Sequence, residues 1–234
     1  MVSYWSSALV PQSVMFRLKP MNARGPMTFS GKSQVVGTDA GFWVATLSNF
    51  IVRTPDHIRE WRALVADLQG GLNDLVIGAF DCKQIPRVDG LPVVIRSPFA
   101  ENGALVDGPW TSRNSIRVSA NGAASMRSTT LVLEVGQAGP LKKGMYFTIR
   151  TLIAGVLVPR MYMITREPEV VGSKATVRFL PPLRHAVDAG ADVDFTNPEV
   201  AMNLSSDDEG ELDIRMRRFS SPSLNLQESW NGLS

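Results

Sequence analysis

Apolar and polar positions alternate with a period of two over several short stretches of the chain. Met145, Phe147 and Ile149 alternate with Tyr146, Thr148 and Arg150, and Ala175, Val177 and Phe179 alternate with Thr176 and Arg178. Successive side chains of a strand point to opposite faces, so this period predicts half-buried β-strands. Leu131–Val135, Met161–Thr165 and Val193–Phe195 are further strand-like runs. Gly and Pro punctuate the series, most clearly at Leu180-Pro-Pro-Leu-Arg184. Proline cannot donate to a ladder, so the strand before it is expected to end there or to lie at an edge. Strands at this spacing suit a small antiparallel barrel or sandwich.

The front of the chain also reads as β. Val14–Leu18 is a short strand expected to stop at Pro20, and Ser33–Val36 and Phe42–Leu47 are two more, with turn material at Asn22–Pro26 and Gly37–Gly41. One segment has helical period. From about Pro55 to Gln69, Ile58, Trp61, Leu64, Val65 and Leu68 form one apolar stripe. Thr54 is a good N-cap, Pro55 fits the first helical position, Asp56 complements the dipole, and Gly70-Gly71 is expected to end the helix. Leu75–Phe80 follows as a buried strand. Residues 81–125 are rich in Gly, Pro, Asn and Ser and read as a long connection or arm, with one short strand at Pro92–Arg96. Near the end, Leu212, Ile214 and Met216 alternate with Asp213, Arg215 and Arg217 as a last strand, and Ser220–Ser234 reads as a flexible tail. The expectation is a mainly β protein with one amphipathic helix packed on a sheet.

Composition narrows the function classes. Lys plus Arg is 24 against 22 Asp plus Glu, a net charge of +2, without the basic excess of a chain that lives by gripping phosphates. Cys82 is the lone cysteine, so no intrachain disulfide frames the fold, and a reducing folding compartment fits. No apolar run has the length of a membrane span, and Met1–Val10 lacks the pattern of a secretory signal. The 10 Met and 5 Trp suit an assembly surface as well as a core.

Candidate chemistry is sparse. His57 and His185 have no second His or Cys at metal-ligand spacing and read as solvent-exposed structural residues. Cys82 beside Lys83 reads as an inert, partly buried thiol. Asp207, Asp208, Glu209 and Glu211 lack the spacing of a calcium loop and read as a solvated turn, and the same reading holds for Asp188, Asp192 and Asp194. Arg215, Arg217 and Arg218, with Met216 and Phe219, form the densest basic group and read as a charge-balanced strand face. Neither a nucleophile elbow nor a phosphate-binding glycine loop is present. No catalytic, cofactor-binding or metal residue is therefore assigned, and an enzyme such as a wall hydrolase is not expected.

The order of motifs resembles a known family. Asn121-Gly-Ala-Ala124, Leu141-Lys-Lys-Gly-Met-Tyr-Phe-Thr-Ile149, Met161–Ile164, Ala175–Arg184, Gly190–Val193 and Asn197-Pro198 follow one another as in distal tail or tail-tip proteins of long-tailed bacteriophages. Gly41–Thr46, the helix with Glu60–Leu64, and Leu75–Phe80 match the front of the same family. Met145 departs from it, standing where the family has an acidic residue, and Leu152–Pro159 is an insertion that lengthens a hairpin.

The resemblance implies a tail-tube-like β-sandwich or barrel with the packed helix over 1–115, a small antiparallel β module over 116–205, and a C-terminal strand over 206–234 that returns to the first domain. It implies a homo-oligomeric, hexameric ring at the virion's tail tip, assembled in the host cytoplasm, between the tail tube protein and the hub. DNA would pass through its channel without sequence-specific binding, and no cofactor is implied. Asp81–Ser125 and Leu152–Pro159 are the expected interaction loops. The alternative is a carbohydrate-binding β module for host attachment, with Trp110, Tyr146 and Tyr162 lining a groove.

Overall fold

A computed structural model describes residues 2–6, 8–27, 31, 34–80, 84–90, 115–153, 155–213 and 220–230. Its elements, in chain order, are β1 (Val2–Tyr4), β2 (Ser13–Arg24), β3 (Val35–Ser48), α1 (Pro55–Leu68), β4 (Asp74–Gly78), β5 (Arg117–Ala120), β6 (Thr130–Gln137), β7 (Tyr146–Ile153), β8 (Val156–Ile164), β9 (Glu169–Val171), β10 (Lys174–Leu180), β11 (Val193–Asp194), β12 (Glu199–Leu204) and β13 (Leu224–Glu228). The protein is mainly β, with one α-helix. It divides into two units, 1–80 together with 200–234, and 81–199.

The first unit is built on a six-stranded mixed sheet in the order β1-β4-β12-β13-β3-β2. β1 runs parallel to β4, while β12–β13, β13–β3 and β3–β2 are antiparallel. β3 shows the expected alternation, with Trp43, Ala45 and Leu47 buried and Val44 and Thr46 half-buried between them. Leu75 and Ile77 of β4, Val200 and Met202 of β12, and Leu224 and Leu226 of β13 are also buried. Thr54 caps α1 by accepting from the His57 N–H, and Trp61, Leu64 and Leu68 bury the stripe. Trp61 meets the Phe50 ring at 4.9 Å between centroids, and Phe50 meets Trp5 at 5.3 Å. The indole of Trp61 donates to the Gly210 carbonyl at 2.9 Å. Gly210 has φ +85°, and a Cβ there would lie 2.7 Å from Val65 Cγ2, so this turn over α1 requires glycine.

The second unit curls into a nearly closed barrel. Its sheet runs β11-β7-β8-β10-β6-β5, with β9 added on β10. Edge strands β5 and β11 approach through a bridge between Ser119 and Asp192, and the Ala120 N–H donates to Ala191 O while the Gly190 N–H donates to Ala120 O, each at 2.8 Å. Pairing around a closed sheet removes open edges. Phe147, Tyr162, Phe179 and Phe195 fill the interior, with ring centroids 5.3–5.5 Å apart in tilted and edge-on contacts. β10 alternates as its sequence predicts and ends at Leu180, before the prolines.

Several expectations need correction. β2 runs straight through Pro20, which sits at a register shift between Lys19 and Met21. It is the outermost strand of its sheet, where a missing N–H costs no ladder bond. Asn22–Arg24 and Gly37–Gly41, read as turns, are strand residues that extend the β2–β3 ribbon. α1 ends at Leu68, one residue early, because Gln69 itself takes the left-handed cap conformation ahead of the glycines. Ser220–Ser234, read as a tail, contains β13, an interior strand between β12 and β3. The strand expected over 212–217 lies mostly outside the described residues, as does the one at Pro92–Arg96. The unit boundaries fall at 80/81 and 199/200, not at 115/116 and 205/206, since Val200–Leu204 belongs to the first sheet.

Candidate interaction surface

Several titratable groups in the described residues make structural contacts. Among them, no three His, Cys, Asp or Glu side chains are placed to share a metal ion. His57 lies half-buried in the first turn of α1, its Nδ1 3.1 Å from the Ile51 carbonyl. His185 is also half-buried, not exposed as expected, and its Nε2 is shut away from solvent without a hydrogen-bond partner. Burial, and then the charge of Arg160, push its pKa below the ordinary value. Arg160 is itself buried on β8.

Three acids, Glu209, Asp194 and Glu199, hold structural contacts. Glu209 accepts from the Asn225 N–H at 3.0 Å, from Asn225 Nδ2 and from the Ser205 hydroxyl, tying the acidic turn to β13. Asp194 and Glu199 each lie 2.9 Å from the guanidinium of Arg150, and Asn197 Nδ2 donates to the other Glu199 oxygen. Burial alone would lower the pKa of Arg150; the hydrogen bond to Glu199 and the charge of Asp194 outweigh it and raise the pKa. Sequence reading missed this cluster, whose members lie 44 and 49 residues from Arg150. The available signal was one cation in a strand and two acids flanking Asn197-Pro198. Thr148, expected on the wet face of β7, is fully buried. Its hydroxyl donates to the Glu199 carbonyl and accepts from the Glu199 N–H, both at 2.7 Å.

The three aromatics of the groove reading do not form a described groove. Tyr162 is 2% exposed inside the barrel, its hydroxyl accepting from the Arg184 N–H at 3.3 Å. Tyr146 is half-buried, and Trp110 lies outside the described residues, as do Cys82, Arg215, Met216, Arg217, Arg218 and Phe219. A shallow depression of about 300 Å³ is lined by Gly122, Ala124, Ser125, Ser128 and Thr130 among others. Ser128 Oγ donates to the Thr130 carbonyl at 2.7 Å, so its hydroxyl is engaged locally.

The first sheet ends in β1 on one side and β2 on the other. β2 presents Met15, Arg17, Lys19 and Met21 to solvent along a strand of 12 residues. Such an edge offers a row of backbone groups for strand addition. Of the two expected interaction loops, Asp81–Ser125 is described only over 84–90 and 115–125, and in Leu152–Pro159 the residues 152, 153 and 156–159 are paired strand at the end of the β7–β8 hairpin. Among the described residues, no helix is long and apolar enough to cross a membrane. Comparison with protein-family models finds no match, and comparison with curated proteins finds none either.

Proposed function

We propose that this chain is a structural protein of a phage tail tip. Copies of it form a ring that joins the tail tube to the central hub and continues the DNA channel. The observation that carries the reading is the first unit's open sheet, which exposes a long outer strand, β2, on one side and β1 on the other. A surface that pairs with a different surface on the next copy generates a closed ring when the rotation closes. The near-neutral charge supports a channel through which DNA slides without being held. The motif order of the sequence supplies the identity of the assembly.

Electron microscopy of assembled tails with a label specific to this chain tests the proposal. Label is expected at the tail tip, with averaged views showing one ring of copies around the channel. Label on the capsid, along the tube or absent from particles overturns it.

A further inference from the structure

The end of the β7–β8 hairpin is apolar on both faces. Leu152 and Leu157 oppose each other across the ribbon and are 66% and 53% exposed, and Val156 beside them is 44% exposed. No charged residue stands between Arg150 and Arg160. The Ile164 N–H donates to the Met145 carbonyl across the ribbon at 2.9 Å, so the even-numbered residues of β8, down to Val156 opposite Ile153, turn their backbone groups toward β7. Leu152 and Leu157, one step back, therefore turn their N–H and C=O groups outward. Among the described residues, β11 covers β7 only at Thr148 and Ile149, and β10 covers β8 only at Met163 and Ile164. The outer edges of the tip are open.

An occupant must satisfy apolar side chains and backbone groups together. Lipid offers the first and not the second. A charged partner would lose its hydration against an uncharged ribbon. An uncharged extended strand supplies both. The two edges also differ. Pro159 follows Leu157 on the outward-facing series of β8 and has no N–H, which spoils that edge. The β7 edge has no proline. The one cation near the β7 end, Arg150, is held by Asp194 and Glu199.

We propose that the β7 edge from Thr151 to Ile153 pairs antiparallel with the same edge of a second copy of this chain, Leu152 against Leu152. An uncharged segment meets its own copy without repulsion, and a twofold contact is self-complementary. A cyclic ring does not require this contact; it joins chains, or whole rings, in pairs, and it stands or falls independently of the tail-tip assignment. With so short an edge the association is weak and concentration-dependent.

Sedimentation velocity of the whole chain across a concentration series tests the pairing. The wild type is expected to show a species of twice the mass of the Leu152→Lys protein. Leu152→Lys and Leu152→Glu are each expected to lack that step, and their equimolar mixture is expected to regain it. Leu152 is exposed, so both variants keep the wild-type circular dichroism. A wild type without the step, a Leu152→Lys protein that retains it, or a mixture that fails to regain it overturns the proposal. So does flotation with phosphatidylcholine vesicles by the wild type and not by Leu152→Lys, which assigns the tip to lipid.

Discussion

Thr148 shows why simple alternation misreads the outer side of β7. The residue stands where a period of two leaves a side chain wet, yet Glu199 closes over it with both of its backbone polar groups. Thr148→Val keeps the shape and leaves those groups without their partner, which is expected to cost about 1–3 kcal/mol. Urea denaturation measures the loss, and Thr148→Ser is expected to restore most of it. His185 makes a second prediction. Its folded pKa lies below the ordinary 6.5, so the unfolded chain binds the proton first. Its contribution is therefore whole above pH 6.5 and declines as the pH falls below that value. His185→Asn is expected to flatten this part of the stability-versus-pH curve; an unchanged slope would show that other groups set it.

Elements were legible where their signals are local. The α1 cap, first-turn proline and apolar stripe all lie within one short segment, and the helix forms within one residue of the expected end. β10 announces itself by alternation and stops at its prolines. β2 was cut short because Pro20 reads as a stop, and only the position of β2 at the rim of the sheet makes that proline harmless. β13 was missed because two leucines in a Ser- and Asn-rich stretch carry little weight alone; its neighbours β12 and β3, remote in sequence, make it a strand. The Arg150 cluster was hidden for the same reason. Leu226 provides the test at this scale. A residue in a loose tail would tolerate truncation, whereas the fully buried Leu226 predicts a loss of about 2–5 kcal/mol for Leu226→Ala. A change within error in chemical denaturation would return the segment to the tail reading.

Across the whole molecule, two hydrophobic cores are formed by one chain. Trp61 and Phe50 belong to the first, and Phe147, Tyr162, Phe179 and Phe195 to the second. Units with separate cores are expected to unfold as separate cooperative transitions. Trp61→Ala and Phe147→Ala should each destabilise its own unit by about 3–5 kcal/mol. Scanning calorimetry is expected to show one transition moving in each variant while the other stays; a single transition that shifts in both would show that the cores melt together.

The place of β13 in the chain has a consequence for biosynthesis. This interior strand of the first sheet comes after all of 81–199, although β1 to β4 come before it. A growing polypeptide therefore presents β3 and β4 long before the strands that stand between them exist. The second unit is complete at that stage and can fold while still tethered to the ribosome; the first must wait. Nascent chains stalled where 81–199 has left the ribosome but β12 and β13 have not would carry a folded barrel beside an unfinished, exposed sheet. Chaperone binding during translation should concentrate in that interval.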